Sequence, residues 1–208
     1  MTPFTKVTAL AVPLDEPNVD TNQLCPTRYN KVPRGPVYRE ILFHDRRYDA
    51  RDVKHDNFIL DREPYTKAEI IVADRNFGCG SSRETAVYAL AEFGFRAVIA
   101  SSYGDIFYNS CFKVGVLPVI LPPEVCAQLR GQLRAHIGAA LTVDLEAQQV
   151  RDVEGAIHPF AVHALRRKSL LAGLDDVALT DSFADDAVPF EAAYRKRFPW
   201  LFTQPAAS

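Results

Sequence analysis

Apolar and polar positions along the chain fall into two alternating patterns. Short, nearly unbroken apolar runs, "KVTALAVPL", "AEIIVAD", "RAVIAS" and "VLPVIL", read as strands, and the middle two are apolar enough to be buried on both faces. Between them the spacing becomes helical. Arg83 to Phe93 carries apolar residues at 86, 87, 90 and 93. "GDIFYNSCFKVG" predicts a short helix ending near Gly115, and "PPEVCAQLRGQLRAHIG" a helix with proline at its start and glycine past its end. Strand, helix, strand, helix, strand in this order is an α/β unit.

The flanks are less regular. "EPNVDTNQLCPTRYNKVPRGP" predicts a long loop interrupted by at most one short helical turn, and loops of that length inside compact domains are usually functional. Val37 to Arg62 gives mixed signals, with a helix expected near Arg39 to Asp45. "ALTVDLEAQQVRDVEGAIHPFAV" alternates and turns like a β-hairpin, and "HALRRKSLLAGLDDVAL" reads as a helix. The tail "DDAVPFEAAYRKRFPWLF" predicts a short helix and a Pro-Trp-Leu stretch docked back on the body. No linker marks a second autonomous domain. The expectation is a single domain over residues 1–208, with a C-terminal helical extension at about 160–208.

Composition narrows the function classes. With 208 residues, 48% of them hydrophobic, the chain can bury a core. Lysines and arginines number 24 against 26 acidic residues, a net charge of −2, which argues against a nucleic-acid or acidic-membrane partner. No run of 18 apolar residues exists and the N-terminus has no basic segment before a long apolar one, so a cytoplasmic location is expected. Cys25, Cys79, Cys111 and Cys126 form no C-x-x-C pair, which disfavours a zinc site or a disulfide framework. Cys111 and Cys126 read as small buried hydrophobes. His44, His55, His136, His158 and His163 show no ligand spacing and read as surface or hydrogen-bonded structure.

The chemistry concentrates in "IIVADRNFGCGSSRETAVYAL", residues 70–90, where a strand passes through a glycine-rich turn into a helix. Gly78 and Gly80 admit positive φ and close approach of another group. Free N–H groups and the helix dipole favour an anion there, and Arg83 adds a planar fork suited to carboxylate or phosphate. A structural alternative is a capping box with Ser81 as N-cap and Glu84 reaching back, Arg83 then lying in the first helical turn. A P-loop is excluded because no G-K-[ST] follows the glycines, and G-x-S-x-G is absent. Cys79 as a nucleophile stays open, since a thiol beside a helix N-terminus has a lowered pKa.

"FGCGSSRE" resembles the signature turn of the swivelling domain of the aconitase superfamily. "NVDTNQLCP" resembles the N-terminal motif of the isopropylmalate dehydratase small-subunit family, and "GFRAVIASSYGDIFYNSCFKVGVLPVIL", "LTVDLEAQQV", "RRKSLLAGLDDVALT" and "PWL" extend the likeness over nearly the whole chain. The resemblance implies a swivelling β/β/α domain of the aconitase/isopropylmalate dehydratase small-subunit type. It also implies a hydro-lyase active only with a large subunit, as a heterodimer or heterotetramer. That partner would hold a [4Fe-4S] cluster, and this chain would bind no metal. The substrate class is a small hydroxy diacid, here 2- and 3-isopropylmalate in leucine biosynthesis. Carried over residue by residue, Ser81 is the catalytic base. Ser82 and Arg83, with Gly78, Cys79 and Gly80, face the substrate, and Asp20 and Thr21 shape the site. Arg28 and Arg34 are candidate contacts from the following loop, which varies with substrate in the family. Three positions depart from the family pattern: Asn22 where a second Asp is usual, Thr85 for His, and Tyr88 for Trp. They leave open a related hydro-lyase acting on a methylmalate or dimethylmaleate type of diacid. A non-catalytic anion-binding module is the remaining alternative.

Overall fold

The apolar runs at Ile70 and Ala97 bury both faces because the sheet they form is covered on both sides. The computed structural model describes residues 1–54 and 58–202. Its seven strands are β1 (Lys6–Pro13), β2 (Ile70–Val72), β3 (Ala97–Ala100), β4 (Leu117–Ile120), β5 (Ala140–Asp144), β6 (Gln149–Arg151) and β7 (Ile157–Pro159). They form one sheet in the order β4-β3-β2-β1-β5-β6-β7. Pairing is parallel from β1 to β4 and antiparallel from β1 through β5 to β7. β1 is the longest strand because it serves both halves. Its N-terminal part pairs with β5, Lys6 opposite Asp144 to Leu10 opposite Ala140. Its C-terminal part pairs with β2, Ala11 opposite Ile70 to Pro13 opposite Val72.

Strand periodicity then assigns the core. Val12, Ile71 and Val98 join one apolar cluster, with Ala86, Val87 and Leu90 of the Arg83–Phe93 helical segment. Ala11, Ile70, Val72, Ala97 and Ile99 join the other, with Leu129, Leu133, Leu141 and Val143. Short helices α1 (Thr21–Leu24), α2 (Tyr38–Ile41) and α3 (His44–Arg47) lie between β1 and β2. α4 (Glu84–Phe93), α5 (Asp105–Val114) and α6 (Pro123–Ala135) follow β2, β3 and β4, and α7 (Ala164–Ala172) follows β7. Residues Met1–Gly173 make one compact unit. A second, from Leu174, contains α8 (Asp176–Asp181), α9 (Ala184–Arg197) and a 3-10 turn at Pro199–Leu201. Within it Tyr194 packs on Phe190, Phe198 and Phe202. No helix among the described residues is long and apolar enough to cross a membrane.

Several elements differ from expectation. The helix expected near Arg39–Asp45 is two helices, because Phe43 takes a left-handed φ of 52° while its ring is buried against Phe58. The predicted helix "HALRRKSLLAGLDDVAL" breaks into α7 and α8 at Gly173, which has φ 68° and lies so close to Met1 that a Cβ would meet the Met1 carbonyl oxygen at 2.6 Å. The hairpin gains a third strand, β7. The loop after β1 holds α1 and a 3-10 turn at Thr27–Tyr29 rather than one turn. α9, expected as a short helix, has 14 residues.

A buried ion pair holds the irregular 38–61 region. Arg47 is 2% exposed, and its Nε and Nη2 donate to Asp61 Oδ2 at 3.0 Å and Oδ1 at 2.9 Å. Its Nη1 donates to the carbonyls of Arg39 at 2.8 Å and Leu42 at 3.0 Å. Burial pushes the Asp61 carboxyl up, but hydrogen bonds from Arg47 and Lys54 outweigh it and hold the group below the usual aspartate value. Replacing Arg47 by alanine leaves the buried Asp61 with only the partly exposed Lys54, 2.7 Å away, as a charged partner, and should cost somewhat less in denaturant unfolding than the roughly 3–5 kcal/mol of a wholly uncompensated buried charge. The double change Arg47→Met with Asp61→Leu should recover most of that loss. The pair also sets an acid limit. A carboxyl with a lowered folded pKa contributes fully above the ordinary value of about 4 and loses its contribution as pH falls through the folded value. The wild-type thermal midpoint should therefore drop more steeply below about pH 4 than that of the double variant.

Candidate active site

Parallel pairing does not stop at the ends of β1 and β2. Asn18 N–H donates to Arg75 O at 3.0 Å, Gly78 N–H to Val19 O at 2.7 Å, and Thr21 N–H to Cys79 O at 2.9 Å. The loop after β3 joins from the other side, Phe77 N–H donating to Ser102 O and Gly104 N–H to Phe77 O, each at 3.0 Å. Three loops are thus sewn into one platform at the carboxyl ends of the parallel strands, the usual place for a ligand in such sheets. Arg130, 8% exposed, clamps the base: its guanidinium donates to Asp15 Oδ1 at 2.9 Å, the Ala73 carbonyl at 2.7 Å and Asp74 Oδ2 at 3.2 Å.

The glycines admit the protein's own groups. Gly78 has φ 69°, and a Cβ there would lie 2.2 Å from the Phe107 ring. A Cβ on Gly104 would lie 2.6 Å from Gly78 O. Phe107 and the start of α5 therefore pack directly on the turn. Between them opens a cleft of about 240 Å³ lined by Gly78, Gly80, Ser81, Gly104, Asp105, Ile106 and Phe107.

Ser81 and Ser82 are exposed and their hydroxyls have no hydrogen-bond partner among the described residues. The Ser81 carbonyl accepts from the buried Thr21 Oγ1 at 3.1 Å. Ser81 does not cap the helix. The N-cap of α4 is Arg83, with extended backbone at φ −137° and ψ 119°, so Arg83 lies before the first turn rather than in it. Glu84 does not reach back; its Oε2 accepts from Tyr88 OH at 2.7 Å. The cause is tertiary: the Thr21 bond to Ser81 and the partners of Arg83 hold the segment outside the helix, with Arg83 extended. A capping box exists instead at α1, where Asp20 Oδ1 accepts from Gln23 N–H at 2.8 Å and Gln23 Oε1 accepts from Asp20 N–H at 3.0 Å. Cys79 also departs from expectation. Burial, with Asp20 beside it, pushes its thiol up, and α4 begins five residues later, too far for its dipole to lower the pKa.

Arg83 is held by two neutral acceptors, Nη1 donating to Thr27 Oγ1 at 2.9 Å and Nη2 to Asn22 Oδ1 at 2.6 Å. Asp20, Thr21, Gly78, Cys79, Gly80, Ser81 and Arg83 are thus brought together, with Ser82 exposed at the edge. Arg28 is placed elsewhere: it pairs with Asp45, Nη1 to Oδ2 at 3.0 Å, and lies over the Tyr29 ring at 4.7 Å. Arg34 pairs with Glu92 at 2.9 Å and covers Tyr88 at 4.9 Å. The residues 22–34 loop therefore meets all three departures from the family pattern: Asn22 and Thr27 hold Arg83, Thr85 Oγ1 donates to Asn30 Oδ1 at 3.1 Å, and Arg34 lies on Tyr88. Sequence reading missed Asn22, Thr27 and Asn30 as site partners. The i, i+3 spacing of 85 and 88 marks one helix face, but nothing local says what that face meets.

The remaining candidates are structural. His44 stacks on Tyr48 with centroids 4.6 Å apart, His158 meets Asp152 at 3.1 Å, and His163 accepts from Leu165 N–H at the start of α7. His136 is the C-cap of α6, and His55 lies outside the described residues. Cys25, Cys111 and Cys126 are buried, and burial pushes their thiols up, Cys126 to about 11. No group of three His, Cys, Asp or Glu among the described residues is placed to hold a metal ion. Among the described residues the four cysteines, three of them buried, are not gathered into the thiolate set an iron–sulfur cluster takes. Gly78→Ala should cost about 2–4 kcal/mol, from positive-φ strain plus the clash with Phe107, measured by chemical unfolding. Gly80→Ala, whose Cβ would have ordinary contacts at 3.6 Å, should cost less.

Comparison with known proteins identifies the family and its fold. A family model for the aconitase C-terminal domain matches residues 1–124, and a LeuD_N model matches residues 127–164. Proteins named 3-isopropylmalate dehydratase small subunit from strains of Cereibacter sphaeroides are 43% identical over 201 residues, which is 97% of this chain and all of each relative. A crystal structure of a 3-isopropylmalate dehydratase from Methanocaldococcus jannaschii is similar in fold, with a TM-score of 0.61 at 23% identity, over 90% of this chain and 99% of that one. The chain therefore belongs to the 3-isopropylmalate dehydratase small-subunit family, built on the swivelling C-terminal domain of the aconitases.

Proposed function

We propose that this chain carries the proton-handling half of a two-subunit hydro-lyase that interconverts 2-isopropylmalate and 3-isopropylmalate in leucine biosynthesis. One observation supports this most: the Asn18–Thr21 and Gly78–Arg83 segments form a single platform, with the Ser81 hydroxyl exposed beside a cleft and Arg83 lacking a carboxylate partner among the described residues. The enzyme acts in the cytoplasm, as a heterodimer or heterotetramer with a large subunit. When bound, a [4Fe-4S] cluster on that subunit supplies Lewis acidity toward the departing hydroxyl.

Two tasks fall to the small subunit. A weakly acidic C–H next to a carboxylate must lose its proton, and charge then develops on that carboxylate. Ser81 Oγ takes the proton as an alkoxide, which needs strong local stabilisation because a serine hydroxyl is ordinarily neutral. The N–H groups of Gly80, Ser81 and Ser82 have no acceptor among the described residues and can supply it, together with the Arg83 charge. Arg83 and Ser82 bind the substrate carboxylate, and Arg83 follows its charge into the transition state. On rehydration Ser81 returns the proton to the adjacent carbon. Gly78, Cys79, Asp20 and Thr21 shape the site through backbone and capping bonds, and Gly80 through its positive φ of 92°. A related diacid is the second reading, because the three departures all touch the 22–34 loop. Anaerobic reconstitution with the large subunit and a panel of hydroxy diacids, followed by absorbance of the unsaturated product, decides between them.

Because the Ser81 side chain caps nothing, Ser81→Ala should leave the thermal midpoint and pairing with the large subunit unchanged. Its single-turnover dehydration rate should fall by about 10²–10⁴. Retained activity would remove Ser81 from the mechanism. Arg83→Lys keeps the charge and loses the fork, and kcat/KM should fall by the equivalent of about 2–4 kcal/mol.

A further inference from the structure

The loop that meets Arg83 is itself held by side chains. Between Pro26 and Pro36 its backbone bonds are local, Tyr29 N–H donating to Pro26 O at 2.9 Å, Asn30 N–H to Thr27 O at 3.1 Å and Val32 N–H to Tyr29 O at 3.0 Å. They shape the segment and do not fix where it lies. Tertiary fastenings do that: Arg28 on Asp45 of α3, Tyr38 OH donating to Val32 O at 2.9 Å, and the outer face of α4. On that face Glu84, Tyr88 and Glu92 follow one another at i, i+4 spacing, with Thr85 beside them. Tyr88 OH donates to Glu84 Oε2 at 2.7 Å, and its ring stands edge-on to the buried Tyr38, with centroids 6.0 Å apart. The ring is therefore held at its tip and along its side. Arg34 closes the loop onto it, its guanidinium 4.9 Å from the Tyr88 ring centre and its Nε donating to Glu92 Oε1 at 2.9 Å. Arg83 is the N-cap of the same helix. One rigid element thus carries both ends of the loop. Arg34 ties the far end to the last turn of α4, and Asn22 and Thr27 at the near end meet Arg83 where α4 starts.

We propose that Arg34 is a positioning residue: by tying the 22–34 loop to α4 it fixes Asn22 and Thr27, and through them the direction of the Arg83 fork. The inference rests on the reading of Arg83 as the carboxylate contact and deepens it. Arg34 does this without touching substrate, because its own fork is committed to Glu92 and Tyr88. A partly exposed ion pair contributes little to the stability of a fold, and the ring contact adds a second weak attraction. Together they decide where an irregular loop lies while the sheet and core stay as they are. Untied, the loop carries Asn22 and Thr27 off Arg83, the fork takes several directions, and substrate binding has to order it again.

The test is a charge exchange in the reconstituted two-subunit enzyme, with 2-isopropylmalate as the probe. Arg34→Ala should raise KM about fivefold and change kcat by about twofold or less. It should speed hydrogen exchange at residues 27–34 and leave the thermal midpoint of the small subunit within about 2 °C of wild type. Arg34→Glu and Glu92→Arg should each raise KM at least as much, since like charges then face each other. The double variant, Arg34→Glu with Glu92→Arg, reverses the pair and should bring KM back to within about twofold of wild type and slow the exchange again. A substrate contact through Arg34 would leave the double variant as impaired as Arg34→Glu, and that result overturns the proposal. A lowered midpoint, or weaker pairing with the large subunit, alongside an unchanged KM also overturns it, since Arg34 is then a structural residue or a partner contact. Arg83→Ala separates the two levels. If it raises KM and Arg34→Ala added to it raises KM no further, both readings stand. If the two effects multiply, Arg34 acts elsewhere and the tether alone fails. If Arg83→Ala leaves KM unchanged, the carboxylate reading of Arg83 fails and the tether falls with it.

Discussion

The pairing of β1 with β2 is the constraint on which the site depends. Within the sheet it spans three residue pairs, Ala11 with Ile70 to Pro13 with Val72. Past the sheet it continues as backbone bonds from Asn18 to Arg75, Val19 to Gly78 and Thr21 to Cys79. Each carries a segment remote in sequence to a fixed place beside the glycine turn. Extending the ladder satisfies backbone groups that a buried loop would leave unpaired, and it makes the turn as rigid as a strand end. Phe107 packed against Gly78 closes the other side. The serines therefore stand on a platform held from three directions rather than on a mobile loop, which is what preorganised proton transfer requires.

Arginines hold this fold through different partners, carboxylates in some places and neutral oxygens in others, as at Arg39, Arg96, Arg166 and Arg167. Arg47 and Arg130 are buried, ion-paired and bonded to main-chain carbonyls, and they pin irregular chain where the sheet cannot. Arg83 is half-exposed and held only by neutral oxygens.

The thiols and hydroxyls show a similar separation. Burial drives Cys111 and Cys126 away from thiolate character, and Cys79 is raised by burial and by Asp20. Ser81 and Ser82, by contrast, are exposed beside N–H groups that have no acceptor among the described residues. Nucleophilic sulfur chemistry is disfavoured here, whereas oxygen-based proton transfer is supported by the surroundings.

The sequence by itself determined the elements whose information is local. The apolar runs at 70, 97 and 117, the helical spacing after residue 83 and the proline-to-glycine frame of α6 all specify themselves within a few residues, because side-chain periodicity and backbone limits act at short range. The glycine turn and the Arg83 fork were readable locally as an anion-facing feature, whereas the roles expected of Ser81 and Ser82 came from the resemblance of "FGCGSSRE" to a family motif. What surrounds them was not readable in this way. Ser81–Glu84 has the local form of a capping box, yet bonds to Thr21, Asn22 and Thr27, more than fifty residues away, hold the chain outside the helix there and move the cap to Arg83. Arg28 and Arg83 look equally available in the sequence, and only folding gives one an aspartate and the other a neutral pair. The left-handed Phe43 and the break at Gly173 follow likewise from a ring seeking the core and a backbone pressed against Met1. Contacts of this range depend on how strands are ordered in the sheet, so only the tertiary structure decided them.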